Sequence, residues 1–380
     1  MNSRFRKRVS GTRSETMKMD RTKKLEKEML TCTFCGFCKS VCPYFEDNQW
    51  DPSVARGKVI LAYGLTRGEI EPDDSVIKRI YQCTTCKDCE RRCPSDIKVI
   101  EIVKAVRRDL VEAGYILPAH SKIIDNVERT GNPYGETKKP DFEVPIKNAE
   151  TGYFIGCTSR YRTTEIATHT ISILKKLGVD FTLVEESCCG STLHRIGHRK
   201  EDIVELMKAN VDAVKRLGIK RLLFTCAGCL HMFKEEYVKH LDYDFEVEHV
   251  VQFLARQKLE LKPLKKRITY HDPCHIGRHM KIYDEPRALL KMIPEAELVE
   301  MKENRESARC CGGGGGVRAS DPGASQRIAS RRVRAASEIA DILITSCPFC
   351  VSTLVFGNDL IKVDIEIKDI TVLIDDLLIS

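Results

Sequence analysis

The sequence lacks an apolar run long enough to cross a bilayer, and its basic N-terminus lacks the apolar stretch of a secretory signal. The longest apolar segments, such as the one around Leu373, fall well short of the roughly 20 residues that a membrane-spanning helix needs. We therefore exclude a direct membrane span and expect a cytoplasmic chain. If the protein works at a membrane, we expect a partner subunit to hold it there peripherally.

The chain also lacks a basic face interleaved with aromatic residues, which a nucleic-acid-binding surface would need. Its formal net charge is +7, but residues 1–28 alone contain ten Lys or Arg and four acids (10 − 4 = +6). The single aromatic residue of that segment is Phe5. These observations exclude nucleic acid as a partner, and they predict that residues 1–28 form a basic flexible tail.

Cysteine is abundant, with 18 residues in a chain of 380. Disulfide-rich proteins are usually small and secreted, and this chain is neither. In a reducing compartment, so many thiols indicate metal binding rather than disulfides.

Two N-terminal cysteine runs share the spacing C-x2-C-x2-C-x3-C-P. This spacing is typical of ferredoxins with two [4Fe–4S] clusters, in which the fourth cysteine of each run binds the other cluster. Zinc also uses C-x2-C pairs, but a zinc site would need neither the third cysteine nor the C-x3-C-P ending, repeated twice. The sequence therefore predicts two cubane clusters, one bound by Cys32, Cys35, Cys38 and Cys93, the other by Cys83, Cys86, Cys89 and Cys42.

Apolar periodicity predicts helices over residues 54–80, with a break at Gly64–Gly68, and over residues 97–113. We therefore expect a helical two-cluster ferredoxin domain over residues 29–115. Residues 116–150 are rich in proline and glycine and are predicted to be a linker.

The rest of the chain is an internal duplication. Its halves, residues 151–262 and 263–380, each contain a lone cysteine, a Cys-Cys-Gly triplet and a C-x2-C pair, at offsets of 117, 122 and 121 residues. The first set is Cys157, Cys188, Cys189, Cys226 and Cys229, and the second is Cys274, Cys310, Cys311, Cys347 and Cys350.

Short apolar runs before the lone cysteines and the C-x2-C pairs predict strands that alternate with helices. This pattern favours two α/β units with mostly parallel sheets, whose sites form at the carboxyl ends of the strands. The predicted fold class is thus a multidomain α+β and α/β chain, with a helical ferredoxin domain followed by two pseudo-symmetric α/β domains.

The order of a ferredoxin domain and two complete five-cysteine motifs resembles the B and D subunits of heterodisulfide reductase, whose cysteine-rich regions are called CCG domains. The ferredoxin region also resembles the helical ferredoxin domain of succinate dehydrogenase. The resemblance covers roughly residues 29–380. It implies one or two noncubane [4Fe–4S] clusters, bound by the ten CCG cysteines as the catalytic set, with no flavin or NAD in this chain.

The resemblance also implies an activity: an oxidoreductase subunit that passes electrons through the cubane clusters to a CCG site that reduces a disulfide. Its partners would be the disulfide substrate and an electron-donor subunit, either a membrane cytochrome b-type protein or a flavoprotein. The same domain order occurs in iron–sulfur subunits of flavin-dependent glycolate, lactate and glycerol-3-phosphate dehydrogenases. An electron-transfer subunit of that kind is the main alternative, and a subunit of a sulfur-metabolism complex that acts on a protein trisulfide or disulfide is a third.

Other residues near the CCG cysteines are candidates for a supporting role. Gly312–Gly316 is better explained as a loop packed against a metallocluster than as a nucleotide-binding loop, because two cysteines precede it in place of a strand. His271 is interpreted as a structural histidine. Arginines near the cysteines, such as Arg160 and Arg278, could bind an anionic substrate.

Overall fold

The computed structural model describes residues 6–7 and 17–379, which form two compact units. The first unit comprises Met1–Asp125, Thr192–Ile203 and Gly312–Ile328, and the second comprises Asn126–Ser191, Val204–Cys311 and Ala329–Ser380. The first unit thus contains two segments that lie far along the chain, one that follows the first Cys-Cys-Gly triplet and one that begins at the glycine of the second.

The N-terminal part of the first unit is mainly helical. Its helices are α1 (Asp20–Lys23), α2 (Glu26–Leu30), α3 (Pro43–Asn48), α4 (Ala55–Arg67), α5 (Asp74–Tyr81), α6 (Asp88–Arg91), α7 (Val99–Glu112) and the start of α8 (Pro118–Thr130), with 3₁₀ turns at Phe37–Val41 and Asp51–Ser53. The two-residue strands β1 (Arg6–Lys7) and β2 (Tyr115–Ile116) pair antiparallel.

Helices α4, α5 and α7 correspond to the helices predicted from apolar periodicity. α4 ends at Gly68, whose φ of +70° provides the left-handed C-terminal cap that glycine adopts without strain. α5 begins at Asp73, whose side chain accepts a hydrogen bond from the N–H of Val76. In α7, Val103, Val106 and other apolar residues are fully buried and form the face that packs on α4.

Residues 17–28 of the expected flexible tail are folded. Thr22 is fully buried, and its N–H and hydroxyl donate hydrogen bonds to the Asp109 carboxylate of α7 at 2.9 and 2.7 Å. Met19 is buried as well. Apart from the β1 backbone, the earlier part of the expected tail lies outside the described residues. In the expected linker, α8 occupies the first half, and residues 131–150 have no regular structure.

The second unit contains two four-stranded parallel sheets of the same order. The first sheet has the order β4-β3-β5-β6 and the second has the order β8-β7-β9-β10. The strands are β3 (Thr151–Phe154), β4 (Phe181–Leu183), β5 (Arg221–Phe224), β6 (Glu246–His249), β7 (Arg267–His271), β8 (Glu297–Leu298), β9 (Ile342–Thr345) and β10 (Glu366–Asp369). The predicted mixture of a helical region and parallel sheets is confirmed.

Helices connect these strands and continue into the segments that belong to the first unit. They are α9 (Cys157–Tyr161), α10 (Thr164–Lys176), α11 (Ser191–Ile196), α12 (Lys200–Arg216), α13 (Ala227–His231), α14 (Val250–Leu254), α15 (Asp284–Lys291), α16 (Val317–Ser320), α17 (Pro322–Ser337), α18 (Pro348–Ile361) and α19 (Ile370–Leu377). A π turn at Met232–Glu236 and 3₁₀ turns at Tyr237–Lys239 and Arg305–Ser307 complete the regular structure.

The two sheets repeat one another in detail. Tyr153 in β3 is hydrogen-bonded through its hydroxyl to Thr225, the residue after β5, at 3.0 Å. Tyr270 in β7 is hydrogen-bonded in the same way to Ser346, the residue after β9. Equivalent strands therefore have equivalent polar contacts, as a duplicated segment requires.

Candidate metal centres

One cavity in the first unit is lined by the first predicted ligand set. Three of its cysteines come from the first run and the fourth from the second run: Cys32, Cys35, Cys38 and Cys93. Gly36 lies between them with a φ of +85°, a left-handed conformation that glycine adopts without a steric penalty. The remaining lining is mostly apolar, so thiolate sulfur is the principal ligand type offered there.

A second cavity of the same unit is lined by the other predicted set, Cys42, Cys83, Cys86 and Cys89. Burial raises the pKa of the Cys42 thiol to about 11, and it raises the pKa of Cys89 well above the usual value. A buried thiolate is therefore unfavourable by itself, and a bound metal would compensate its charge. Four converging sulfurs in a small apolar cavity fit a cubane cluster.

The residues that line the two cavities differ in their exposure to solvent. The first lies next to Phe34 and Phe37, whose exposed fractions are 51% and 56%, and its Cys35 is exposed. The second is lined by Lys58, which is only 2% exposed. The first site therefore lies beside exposed aromatic side chains, and the second lies beside a buried cation.

A second buried cation, Arg107 of α7, holds the loop of Cys83 in place. Its guanidinium is fully buried and donates hydrogen bonds to the carbonyl oxygens of Ile80, Tyr81, Cys83, Arg195 and Gly315 at 2.8–3.3 Å. These acceptors lie in the Cys83 loop and in the two distant segments of the first unit. Arg107 therefore fixes all three relative to one another.

The Gly312–Gly316 loop packs directly on the same ligand loop. A β-carbon at Gly314 would lie 2.4 Å from the carbonyl oxygen of Thr84, and one at Gly315 would lie 2.1 Å from that of Cys83. Side chains larger than hydrogen do not fit at such distances, so this glycine run permits a close backbone approach. Its packing against a predicted cluster-binding loop explains the glycines without a nucleotide.

In the second unit, the first CCG cysteine set lies at the carboxyl ends of the first sheet. Cys157 begins α9 after β3, and Cys226 precedes α13 after β5. The Cys157 thiol raises the pKa of Cys188, and the thiols of Cys189 and Cys226 raise the pKa of Cys229, so these sulfur atoms lie close together. Because the strands are parallel, these residues meet at one edge of the sheet.

The second CCG set occupies the equivalent edge of the second sheet. Cys274 follows β7, and Cys347 precedes α18 after β9. The sulfur of Cys350 lies 3.5 Å from that of Cys311. Cys310, Cys311, Cys347 and Cys350 are buried, and Cys274 is partly exposed.

The two CCG sets are neighbours within the second unit. The thiols of Cys226 and Cys347 lie close enough for each to shift the pKa of the other. Beside them, His231 of the first half lies 3.2 Å from His279 of the second, measured between Nε2 and Nδ1. The structure thus brings together cysteines of both sets, which are spread over residues 157–350.

A polar pocket reaches the first set from outside and is lined by Cys157, Cys188, Lys139 and Arg160, among others. Arg160 is ion-paired with Glu186 at 2.7 Å. Arg278, the other candidate for binding an anion, donates a hydrogen bond to the carbonyl oxygen of Ala308. Both arginines therefore have structural partners within the protein.

Sequence reasoning missed Lys58 and Arg107 as neighbours of the cysteines. Arg107 does carry a signal, because it lies four residues after Val103 on the apolar face of α7. A charged residue in such a position indicates a buried polar contact. Among the described residues, no helix is long and apolar enough to span a bilayer.

Two family models match the chain. Residues 28–97 match the 4Fe-4S dicluster domain, and residues 151–234 and 268–355 both match the cysteine-rich CCG domain. Together with the two cysteine-lined cavities and the two cysteine sets at the sheet edges, these matches define an iron–sulfur protein with a ferredoxin region and two CCG domains.

Curated relatives narrow this class to one family. The chain is 36% identical to the D subunit of the dihydromethanophenazine:CoB–CoM heterodisulfide reductase of Methanosarcina mazei, over 92% of this chain and 94% of that protein. It is 38% identical to the protein of the same name of Methanosarcina barkeri, with the same coverage. The chain therefore belongs to the family of iron–sulfur proteins that includes the D subunit of heterodisulfide reductase, and the predicted resemblance is confirmed.

One solved structure is similar in fold. The crystal structure of a hypothetical protein from Helicobacter pylori aligns with a TM-score of 0.60 at 11% identity, over 93% of this chain and 71% of that one. At this identity the likeness concerns the fold alone.

Proposed function

We propose that this chain is the disulfide-reducing subunit of an oxidoreductase complex. The observation that carries the proposal is the proximity of Cys226 and Cys347, which places the two complete CCG cysteine sets side by side within one compact unit. Two metal-binding sets side by side suit a substrate whose bond joins two sulfur atoms. The relatives named heterodisulfide reductase support the same substrate class.

In this proposal, two cubane [4Fe–4S] clusters occupy the two cavities of the first unit, and the CCG sets hold one or two noncubane clusters. When bound, the iron–sulfur groups supply single electrons and iron that can take a thiolate sulfur. Reduction of the disulfide consumes two electrons and two protons and releases two thiols. The electrons come from a donor subunit, of the cytochrome b or flavoprotein class.

Residues of the two units contribute to different steps of the proposed function. Phe34 and Phe37 are the exposed apolar side chains beside the first cavity and are suited to contact a donor subunit. Lys58 and Arg107 place positive charge at the second cavity, which favours an additional electron there. In the second unit, the pocket at Cys157 gives a small substrate access to the first CCG set.

The test is anaerobic purification followed by iron and sulfide analysis, with EPR spectra of the oxidised protein in the presence and absence of candidate thiols. We expect about twelve to sixteen iron atoms per chain, four for each of three or four clusters, and a signal that appears only with the thiol. About eight iron atoms and no thiol-dependent signal would contradict the proposal. That result would instead fit an electron-transfer subunit of a flavin-dependent dehydrogenase.

Matched cysteine variants distinguish the EPR signals of the two units in the same experiment. Cys347→Ser should remove the thiol-dependent signal and leave the cubane signals unchanged, because Cys347 lies in the second unit. Cys38→Ser should alter a cubane signal and leave the thiol-dependent signal in place. If Cys347→Ser left the thiol-dependent signal intact, the CCG sets would not be the substrate site.

A further inference from the structure

The two CCG sites differ in the residue that lies three positions before the lone cysteine of each half. The offset of 117 residues that relates Cys157 to Cys274 also relates Phe154 to His271. Phe154 packs in an aromatic group with Phe224 and Phe233, at ring-centroid distances of 5.3 and 5.4 Å. The second half has a titratable, hydrogen-bonding side chain where the first half has a hydrocarbon.

His271 faces the sulfur atoms of the second CCG set. A ring nitrogen of His271 lies within 4.8 Å of the sulfur atoms of both Cys311 and Cys350, and all three residues are buried. The side chain is 0% exposed, so bulk solvent does not reach it. Its remaining polar contacts must therefore be made inside the protein.

The hydrogen-bond partner of the ring nitrogen Nδ1 defines which tautomer of His271 is present. Arg332, itself 3% exposed, donates a hydrogen bond from Nε to His271 Nδ1 at 3.3 Å. An arginine N–H can only donate, so Nδ1 acts as the acceptor and the ring proton is on Nε2. Nε2 is buried and has no nitrogen or oxygen partner among the described residues, and the Cys311 thiol lies within interaction range of the ring. The imidazole therefore directs an N–H group, not a lone pair, at its surroundings.

The position of the ring proton discriminates between three roles that His271 could have. A metal ligand would need its lone pair on the nitrogen nearest the metal, and here the lone pair is used by Arg332. A purely structural histidine would pair its second ring nitrogen with an oxygen or nitrogen atom of the protein, whereas the ring of His271 has the Cys311 sulfur as its neighbour. The remaining role is that of a hydrogen-bond donor to sulfur that carries negative charge.

We propose that His271 Nε2–H donates a hydrogen bond to the sulfur atoms of the iron–sulfur group held by the second CCG set, and that this makes the second CCG site easier to reduce than the first. An N–H group near sulfur stabilises the additional negative charge of the reduced state, so it raises the reduction potential. The apolar group around Phe154 offers no such donor to the first set. The inference rests on the proposed function, in that the second set must hold an iron–sulfur group.

The test is an anaerobic redox titration followed by EPR, in which the signals of the second site are identified by their loss in Cys350→Ser. We expect His271→Phe, which copies the first half, to shift the midpoint potential of the second site to more negative values. Loss of one hydrogen bond to a charged acceptor should change the reduction equilibrium roughly tenfold, which is about 59 mV for one electron.

Two further variants make the result specific. His271→Gln places an amide N–H near the position of Nε2 and should keep the potential close to that of the unsubstituted protein. Phe154→Leu changes the equivalent position of the first half and should leave the second site unchanged. The iron content of every variant is measured in parallel.

The possible outcomes separate the two proposals. An unchanged potential in His271→Phe with full iron content would overturn the role of His271 and leave the proposed function intact. Loss of about four iron atoms in both His271 variants would identify the imidazole as a ligand, and would also overturn the proposed role. About eight iron atoms in the unsubstituted protein would contradict the proposed function itself.

Discussion

At the scale of single residues, the buried guanidinium of Arg107 connects parts of the chain that lie more than 200 positions apart. It donates to the carbonyl oxygens of Cys83 and Gly315 and lies 4.9 Å above the Tyr81 ring. Arg107→Met should lower the free energy of unfolding by about 3 kcal/mol or more, because buried carbonyl groups lose their donor. Thermal unfolding followed by circular dichroism measures this change.

The matched control is Arg67→Met, an arginine in α4 whose side chain is 54% exposed. An exposed substitution of this kind should change the free energy of unfolding by no more than about 0.5 kcal/mol. Equal effects of the two substitutions would show that Arg107 does not hold the Cys83 loop in place.

The sequence reveals the role of some residues much more readily than that of others. The cysteines are recognisable because a cluster needs thiolates at fixed short spacings. Lys58 and Arg107 are not, since charged residues are usually exposed, and their burial depends on partners that are distant in sequence. His271 shows its significance only when the partner of each ring nitrogen is known.

At the scale of elements, the glycine loop before α16 is adapted to the cluster-binding loop that it contacts. Gly315 has a φ of +63°, and a β-carbon there would lie 2.1 Å from the carbonyl oxygen of Cys83. Gly315→Ala should therefore combine backbone strain with displacement of the Cys83 loop, and EPR should show an altered signal from the second cubane site.

Gly68→Ala provides the control, because Gly68 has a φ of +70° and no atom within 4 Å of an added β-carbon. It should cost about 1–2 kcal/mol through backbone strain alone and leave the EPR spectrum unchanged. If both variants retained the spectrum of the unsubstituted protein, the glycine loop would not be positioning the ligand loop.

Elements were predictable where a local pattern determines them. Residues 221–224 and 342–344 precede cysteine pairs as short apolar runs, and they lie in strands β5 and β9 respectively. Helix α8 was missed because proline and glycine later in the same segment suggested a linker throughout. The assignment of Thr192–Ile203 and Gly312–Ile328 to the first unit depends on long-range packing that no local pattern reveals.

At the scale of the whole molecule, the duplication places two ionisable caps of opposite kind at equivalent positions. His249 ends β6 and caps α14, and Asp369 ends β10 and caps α19. Burial lowers the pKa of His249 to about 4 and raises the pKa of Asp369 to about 7. Both shifts disfavour the charged form of the side chain. Protonation charges His249 but neutralises Asp369, so the two residues make the free energy of unfolding depend on pH in opposite directions.

The sign follows from which state binds the proton. Below about pH 6.5 the unfolded chain protonates His249 and the folded chain does not, so stability falls as the pH decreases towards 4. Between about pH 4 and pH 7 the folded chain keeps a proton on Asp369 that the unfolded chain has lost. Stability from this residue therefore falls as the pH rises, and the whole penalty is present above pH 7.

Asp369→Asn should remove that penalty while keeping the cap, because an amide oxygen can still accept the hydrogen bond from the N–H of Thr371. We expect the variant to be more stable than the unsubstituted protein at pH 8, by at most about 4 kcal/mol, and the advantage to shrink as the pH falls towards 5. Thermal unfolding at a series of pH values measures it. Asp369→Ala, which loses the cap, is the control, and a pH-independent difference for Asp369→Asn would show that Asp369 is ionised in the folded protein at every pH tested.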